Sequence, residues 1–427
     1  MMQKSKIQRI YIPMLLLILL ICIVKPVLLA QTNIPSSIPD RIILNLSEET
    51  SNSVAVTWRT DNTVGEGYCE IHPLSASRII TDSVKSIIAA TSQISYKYKD
   101  EPVIQVNQHS VIIKNLKPGG KYLYRVGSKT AWSEWFEYEL PDNNDQFSFV
   151  YFGDPQADIK SQWSRVVRKA YEYTDDCAFM LYGGDIINRG GRDMEWQEWF
   201  DAGSYIFATV PQVLTPGNHD YTDDGIDPHW KYQFTQPQNG PKGVKGTCFF
   251  TDYENLRIVS IDSAVESELE DENGQAMTSQ KIWLDSVLTN NDKKWVIVTT
   301  HLPFYSTNIK RDNPHIRRNF QPILEKHGVD LVLTGHDHAY GRGVVSDNKD
   351  VKPSIVYVVS VSGPKLYEAG DKTWMQKRGG YLQLFQKITI NDDMLDFKAI
   401  TADGEIFDHF TLKKGKKVNK LVEQKIE

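Results

Sequence analysis

The sequence predicts two domains, an all-β sandwich over 39–140 followed by an α/β domain over 146–412. Three observations predict it. Short alternating apolar runs with no helical period of useful length fill the first stretch. A polar, turn-forming Pro141-Asp-Asn-Asn-Asp145 ends it, and beyond it strand-like apolar runs alternate with segments of helical period. With 427 residues, 41% of them apolar and 24% charged, the chain has material for both cores.

Residues 1–30 stand apart. Lys4, Lys6 and Arg9 precede an apolar run from Ile10 to Val24, the pattern of a secretory signal, with Ala30 as the small residue at the expected cut. If uncut, the segment is an N-terminal anchor, and no other membrane association is expected. Export places the protein outside the cell, in a periplasm or on the cell surface. Without Cys22 the exported chain carries Cys69, Cys177 and Cys248, with no Cys-x-x-Cys spacing. A thiolate zinc site is therefore not expected, and buried small residues are. A net charge of −6 argues against a broad basic surface and hence against a nucleic-acid scaffold as partner.

In the first domain, Val54-Ala-Val-Thr-Trp58, Val111 to Leu116 and Tyr122 to Val126 read as strands. Leu116-Lys-Pro-Gly sets a turn just ahead of Tyr122, which suits a tyrosine whose hydroxyl ties back to that turn. Trp58 is the expected core tryptophan, and Trp132-Ser-Glu-Trp135-Phe136 the closing strand. This arrangement resembles a fibronectin type III sandwich, and its expected role is positioning or shielding its neighbour.

In the second domain the expected strands are Phe147 to Phe152, Ala178 to Tyr182, Val213 to Thr215, Arg257 to Ile261, Trp295 to Thr299 and Asp330 to Thr334. Helices are expected over Gln162 to Tyr173, Met194 to Phe207, Gln280 to Leu288 and Phe320 to Lys326. From Lys413 onward a Lys-rich tail looks loose. Five of the strands run directly into polar residues of one kind: Gly153-Asp154, Gly184-Asp185, Gly217-Asn218-His219-Asp220, His301 and Gly335-His336-Asp337-His338. Loops beyond the carboxyl ends of such strands meet in one crevice. Aspartate, asparagine and imidazole together are ligands for zinc, iron or manganese. Each motif alone is a common turn or a satisfied histidine; five in order are not.

This ordered set resembles the calcineurin-like metallophosphoesterases and, within them, the purple acid phosphatases, through Pro211 to Asp220, His301-Leu-Pro-Phe-Tyr305 and Gly335 to Arg342. The resemblance implies a four-layer domain of two mixed sheets flanked by helices. It implies that Asp154 and His338 bind a first metal, that Asn218, His301 and His336 bind a second, and that Asp185 bridges them. Metal-activated hydroxide would then attack phosphorus, with His219 assisting the leaving group and Asp220 orienting that imidazole. Two departures fall at the first metal. Asn188 stands where the family has its ligand tyrosine, which removes the source of purple colour, and Gln156 is expected to hydrogen-bond a metal-bound water or to offer an amide oxygen. Iron, manganese and zinc all suit the pair. His315, Arg317 and Arg318 are candidate contacts to a small phosphorylated substrate. The expected activity is an acid phosphatase-like monoesterase; a phosphodiesterase on the same site and a non-catalytic exported binding protein are its rivals.

Overall fold

Alternation over residues 39–140 produces eight strands: β1 (Asp40–Leu46), β2 (Val54–Asp61), β3 (Tyr68–Pro73), β4 (Lys85–Ile88), β5 (Ala90–Tyr96), β6 (Ile104–Ile113), β7 (Lys121–Gly127) and β8 (Phe136–Glu139). The computed structural model describes residues 34–79, 84–144, 146–265, 274–346, 354–416 and 418–426. The segment read as an export signal lies outside them, and no helix among the described residues is long and apolar enough to cross a membrane. Two sheets, β5-β6-β2-β1 and β4-β3-β7-β8, enclose a core around the fully buried Trp58. As expected, the Tyr122 hydroxyl ties back to the turn, accepting from Lys117 N at 2.9 Å. The closing strand starts later than expected, at Phe136. Trp132 and Trp135 instead hold the Arg125 guanidinium, 4.5 and 4.8 Å from the two rings, and Arg125 pairs with Glu70.

The second domain runs β9 (Gln146–Phe152), α1 (Ser164–Tyr173), β10 (Cys177–Gly183), α2 (Asp193–Gly203), α3 (Tyr205–Thr209), β11 (Gln212–Thr215), the small hairpin β12 (Tyr221–Thr222) and β13 (Gly225–Ile226), then α4 (Pro228–Gln233). It continues through β14 (Phe249–Tyr253), β15 (Leu256–Ile261), α5 (Gln275–Thr289), β16 (Trp295–Thr300), α6 (Pro314–His327), β17 (Leu331–Thr334), β18 (Tyr340–Val344), β19 (Val356–Val359) and β20 (Lys377–Gly379). Three hairpin-linked strands, β21 (Leu384–Asn391), β22 (Met394–Thr401) and β23 (Ile406–Lys413), precede β24 (Lys420–Glu423). One core lies between the two main sheets, joining Phe149, Leu181 and Val213 to Ile258, Ile297 and Leu333. Helices α1 to α3 cover the outer face of one sheet and α5 and α6 that of the other, giving the four layers expected.

Three further features depart from the sequence expectations. The helix expected over Met194 to Phe207 breaks at Ser204, whose φ of 42° ends α2 and starts α3. The tail is not loose: Lys420–Glu423 adds an edge strand to β23. Most consequential, β1 pairs in parallel with β11 at Asn45 and Gln212, so both domains share one eleven-stranded sheet, β24-β23-β22-β21-β9-β10-β11-β1-β2-β6-β5.

A buried ionic knot locks this joint. A bulge between Asp40 and Ile43 puts Arg41 at φ 50° and sends its guanidinium to Asp193 (2.8 Å) at the start of α2. Arg59 bonds Asp40 and approaches the same Asp193. His229 bridges Asp227 (2.7 Å) and Asp193 (3.1 Å) with its ring 3.6 Å from that of Tyr96. Burial alone would lower the His229 pKa, but Asp227 and Asp193 outweigh it and raise it above the ordinary value. Arg41, followed by His229 and Arg59, outweighs burial at Asp193, and His229 does so at Asp227, so both carboxylates are held below their ordinary values. A raised histidine contributes stability present below about pH 6.5 and lost as pH rises through its folded value, while depressed carboxylates contribute stability lost as pH falls below about 4. Thermal unfolding should therefore be latest between those limits, and His229→Gln should remove the alkaline decline at a cost on the order of 3 kcal/mol. An unchanged pH profile of the unfolding midpoint in that variant would refute the assignment.

Candidate metal centre

The apolar β9, β10, β16 and β17 end together, and the residues next in the chain turn inward at once. Asp154, Asp185, His336 and His338 all have positive φ, 41°, 52°, 73° and 53°. Non-glycine residues adopt that region rarely and at a cost, so its recurrence at four of the six expected ligands marks a site over-determined by its surroundings. The adjoining glycines are obligatory for space: a Cβ on Gly217 would sit 2.2 Å from Asp185 Oδ1, and one on Gly335 2.4 Å from Asp154 Oδ2.

Two of the three imidazoles, those of His301 and His338, are held by their outward nitrogens. His301 Nδ1 donates to the Gly183 carbonyl (2.8 Å) and His338 Nδ1 to that of Lys365 (2.5 Å), so both Nε2 atoms face inward. Around His301 Nε2 converge Asn218 Oδ1 at 3.1 Å, His336 Nδ1 at 3.1 Å and Asp185 Oδ1 at 3.3 Å. On the other side His338 Nε2 lies 3.6 Å from Asp154 Oδ1, and the Asp154 carboxylate accepts from His336 N at 2.8 Å. Two groups of donor atoms result, Asp185 with His301 and His336, and Asp154 with Asp185 and His338, each within 4.8 Å; Asp185 belongs to both.

Electrostatics favour cations there. Burial pushes the Asp154 carboxyl up; Asp185 feels the same push, but His301 and His219 outweigh it and hold it well below the usual range. Burial lowers His336 to about 2 and His338 to about 4, which keeps their lone pairs free. His301, although buried, is raised to about 9 by Asp185 and Asp154. Electron-rich atoms converging on a point, with protons to be displaced from His301 and from the raised Asp154 carboxyl, fit a divalent metal. The proton on His301 must leave when a metal binds. Apparent metal affinity should thus fall by about tenfold or more for each unit of pH below about 9, read by loading at graded pH; pH-independent loading would contradict this.

The remaining sequence candidates divide. His219 Nδ1 bonds the Asn188 carbonyl (2.8 Å), and its main-chain N–H donates to Asp185 Oδ1 (2.9 Å), so Asn188 enters the site through its main chain. Asp220 does not orient that imidazole. Its carboxylate accepts from the main-chain N–H groups of Ile186 (3.0 Å), Ile187 (3.3 Å) and Gly217 (2.8 Å), which fixes the loop carrying Asp185. Gln156 turns its amide nitrogen toward Asp185 Oδ2 (2.6 Å) and His338 Nε2 (3.2 Å), with its oxygen facing Lys365 Nζ at 3.4 Å. It stands at the first site as a donor. Arg317 is committed elsewhere, to the Phe304 carbonyl (2.7 Å) and to Asp312 (2.6 Å), and His315 and Arg318 lie beside it on α6. The cations that reach the centre's own residues carry no sequence signal: Lys365, and Arg311, which bonds Asp337 and the His336 carbonyl.

The family model described as Calcineurin-like phosphoesterase matches residues 147–340, and that described as Purple acid Phosphatase, N-terminal domain, matches residues 39–140. Acid phosphatase type 7 of Mus musculus is 25% identical over 256 residues, covering 55% of this chain and 56% of that protein, so the chain spans little more than half of that relative's length. Purple acid phosphatase 21 of Arabidopsis thaliana is 23% identical over 342 residues, covering 77% of this chain and 72% of that protein. The solved purple acid phosphatase from yellow lupin (Lupinus luteus) seeds has the same fold, with a TM-score of 0.73 at 19% identity over 89% of this chain and 75% of that one. A chain that joins the N-terminal domain of purple acid phosphatases to a calcineurin-like phosphoesterase domain, in the fold of a solved purple acid phosphatase, belongs to the purple acid phosphatase-like metallophosphoesterases.

Proposed function

We propose that this chain is an exported, metal-dependent phosphomonoesterase of the acid phosphatase type. The observation that carries the reading is Asp185, a buried carboxylate shared by two groups of imidazole and carboxylate donors. Asp154, Asp185 and His338 would hold one cation, and Asp185, Asn218, His301 and His336 the other. When bound, such a pair supplies Lewis acidity at phosphorus and acidifies water. The chain's own part is positional. Gly183 and Lys365 fix the His301 and His338 imidazoles, Gln156 offers an amide donor beside the first site, and Asp220 keeps the Asp185 loop in place. His219 is pinned by the Nδ1–H that it donates to the Asn188 carbonyl, so that the imidazolium form has its Nε2–H left to give to the departing oxygen, returning to the neutral ring. The charged, apolar-flanked N-terminus supports export.

The experiment is hydrolysis of nitrophenyl phosphate and of bis-nitrophenyl phosphate by protein reconstituted with iron, manganese or zinc. Monoester turnover at least about tenfold above diester turnover in kcat/KM is expected, because a dianion gains more than a monoanion from two cations. Preference for the diester would overturn the monoesterase assignment, and inertness toward both would overturn the enzyme reading.

A further inference from the structure

The ends of β9 and β10 remote from the metal centre open on a second cavity. One wall is β7 and β8 of the N-terminal domain; the other is the start of β9 and of β10, the approach to β11 and the turn after β14. Its volume of about 560 Å³ falls within the roughly 300–1,000 Å³ of small-molecule sites. The seven residues of β9 and of β10, at about 3.3 Å each, put it on the order of 20 Å from Asp154 and Asp185. Six carboxylates line it, those of Glu137, Glu139, Asp142, Asp175, Asp176 and Glu254, against one ammonium, that of Lys121. The Lys121 ammonium is raised first by its bond to Glu139 (2.8 Å), and Asp176 from the opposite wall and Glu137 add to the rise. Burial raises the Glu254 carboxyl and Asp142 adds to it. The cleft thus holds more negative charge than its one cation offsets.

Acidic surfaces are common, but this one has a polar floor left unpaired. Tyr138 and Tyr253 line the cleft and are 6% and 8% exposed; neither hydroxyl has a hydrogen-bond partner among the described residues, and neither is sealed off from the cleft. Burial pushes both phenols up, so each stays protonated with lone pairs to offer an N–H donor. At the rim the exposed Tyr171 and Tyr205 add aromatic surface. We infer that the cleft binds an aliphatic polyamine, its ammonium groups on the carboxylates and on the Tyr138 and Tyr253 hydroxyls, its methylenes along the tyrosine rings. An ammonium has three donors and no acceptor, and both carboxylates and aromatic faces attract it. Anions are repelled by six carboxylates, and an uncharged apolar ligand would desolvate them without a partner. Carboxylates on both walls suit a ligand charged in more than one place. Because each domain supplies a wall, the occupant also ties the two together and raises the unfolding midpoint.

Calorimetric titration of spermidine into the metal-loaded full chain, at physiological salt, tests this. Saturable binding is expected, with a later thermal unfolding midpoint in its presence. Glu137→Gln combined with Asp176→Asn, two exposed carboxylates, should weaken it by about fivefold or more. Tyr253→Phe removes one oxygen and should weaken it by about tenfold, the worth of a hydrogen bond to a charged group. Lys121→Met frees Glu139 and should tighten binding by about two- to fivefold, a gain that a damaged fold would not produce. Phosphoester turnover should be unchanged in all of these variants, which separates the cleft from amine bound at the metal centre. The absence of saturable binding, or binding that the double neutralisation leaves unchanged, would overturn the inference. So would a loss on neutralisation with none in Tyr253→Phe, which would reduce the cleft to a loose counter-ion surface.

Discussion

Replacing Asp185 with asparagine should lower kcat/KM for phosphomonoesters by at least about a thousandfold, some 4 kcal/mol of transition-state stabilisation, and should leave the protein with fewer than two metals per chain. The size of the effect comes from its place in both donor groups. Every other carboxylate or imidazole of the centre belongs to one of them. The substitution is also a clean one. Asp185 sits at φ 52°, a conformation asparagine adopts more readily than most residues, and the side chains have nearly the same shape. Its Oδ1 can still accept from His219 N, so the loop has no reason to move. The loss is one negative charge at the point where two cations must share it, together with the oxygen that accepts from the Gln156 amide. Elemental analysis beside the rate measurement checks the cause: a variant that keeps two metals and loses activity less than tenfold would show that Asp185 is not the shared ligand.

How much of this can be read from the sequence depends on whether a feature is local. The ligand set is legible because each member directly succeeds an apolar strand, and strand ends with Gly-Asp, Gly-Asn-His or Gly-His-x-His leave a trace in neighbouring residues. Trp58 and the Tyr122 tie are legible for the same reason. Long-range pairings leave no such trace. Nothing near Asn45 announces that β1 will join β11 about 170 residues later, or that Arg41 will cross to Asp193. Ser204 breaks a helical pattern through its backbone angles, which its neighbours in sequence do not encode. For Asp220, adjacency to His219 suggests the wrong partner, whereas the 3-10 turn Asn218–Asp220 directs the carboxylate to the main chain of Ile186 and Ile187. Lys365 and Tyr367 belong to a loop without periodicity, and only the fold brings it against His338. Arg317 on α6 illustrates the converse. Positive charge near a motif in sequence is not positive charge in the site when a nearer carboxylate, here Asp312, claims it.

His219→Ala should cost about a hundredfold to ten-thousandfold in kcat, with metal content unchanged. The residue is half-buried beside the centre and makes two fixed contacts, its amide to Asp185 and its Nδ1 to the Asn188 carbonyl. Alanine keeps the amide bond, so the Asp185 loop and the metals should stay. The imidazole alone is removed. If Nε2 delivers a proton to the departing oxygen, the penalty must grow as the leaving group becomes more basic: small for nitrophenyl phosphate, whose phenolate departs unaided, and largest for alkyl phosphates, whose alkoxides cannot. The slope of log kcat against leaving-group pKa should therefore steepen in the variant. A histidine that merely orients the phosphate predicts something different, an equal loss for every leaving group with the slope preserved, and that outcome would take the proton-transfer role away from His219 while leaving the metal centre intact.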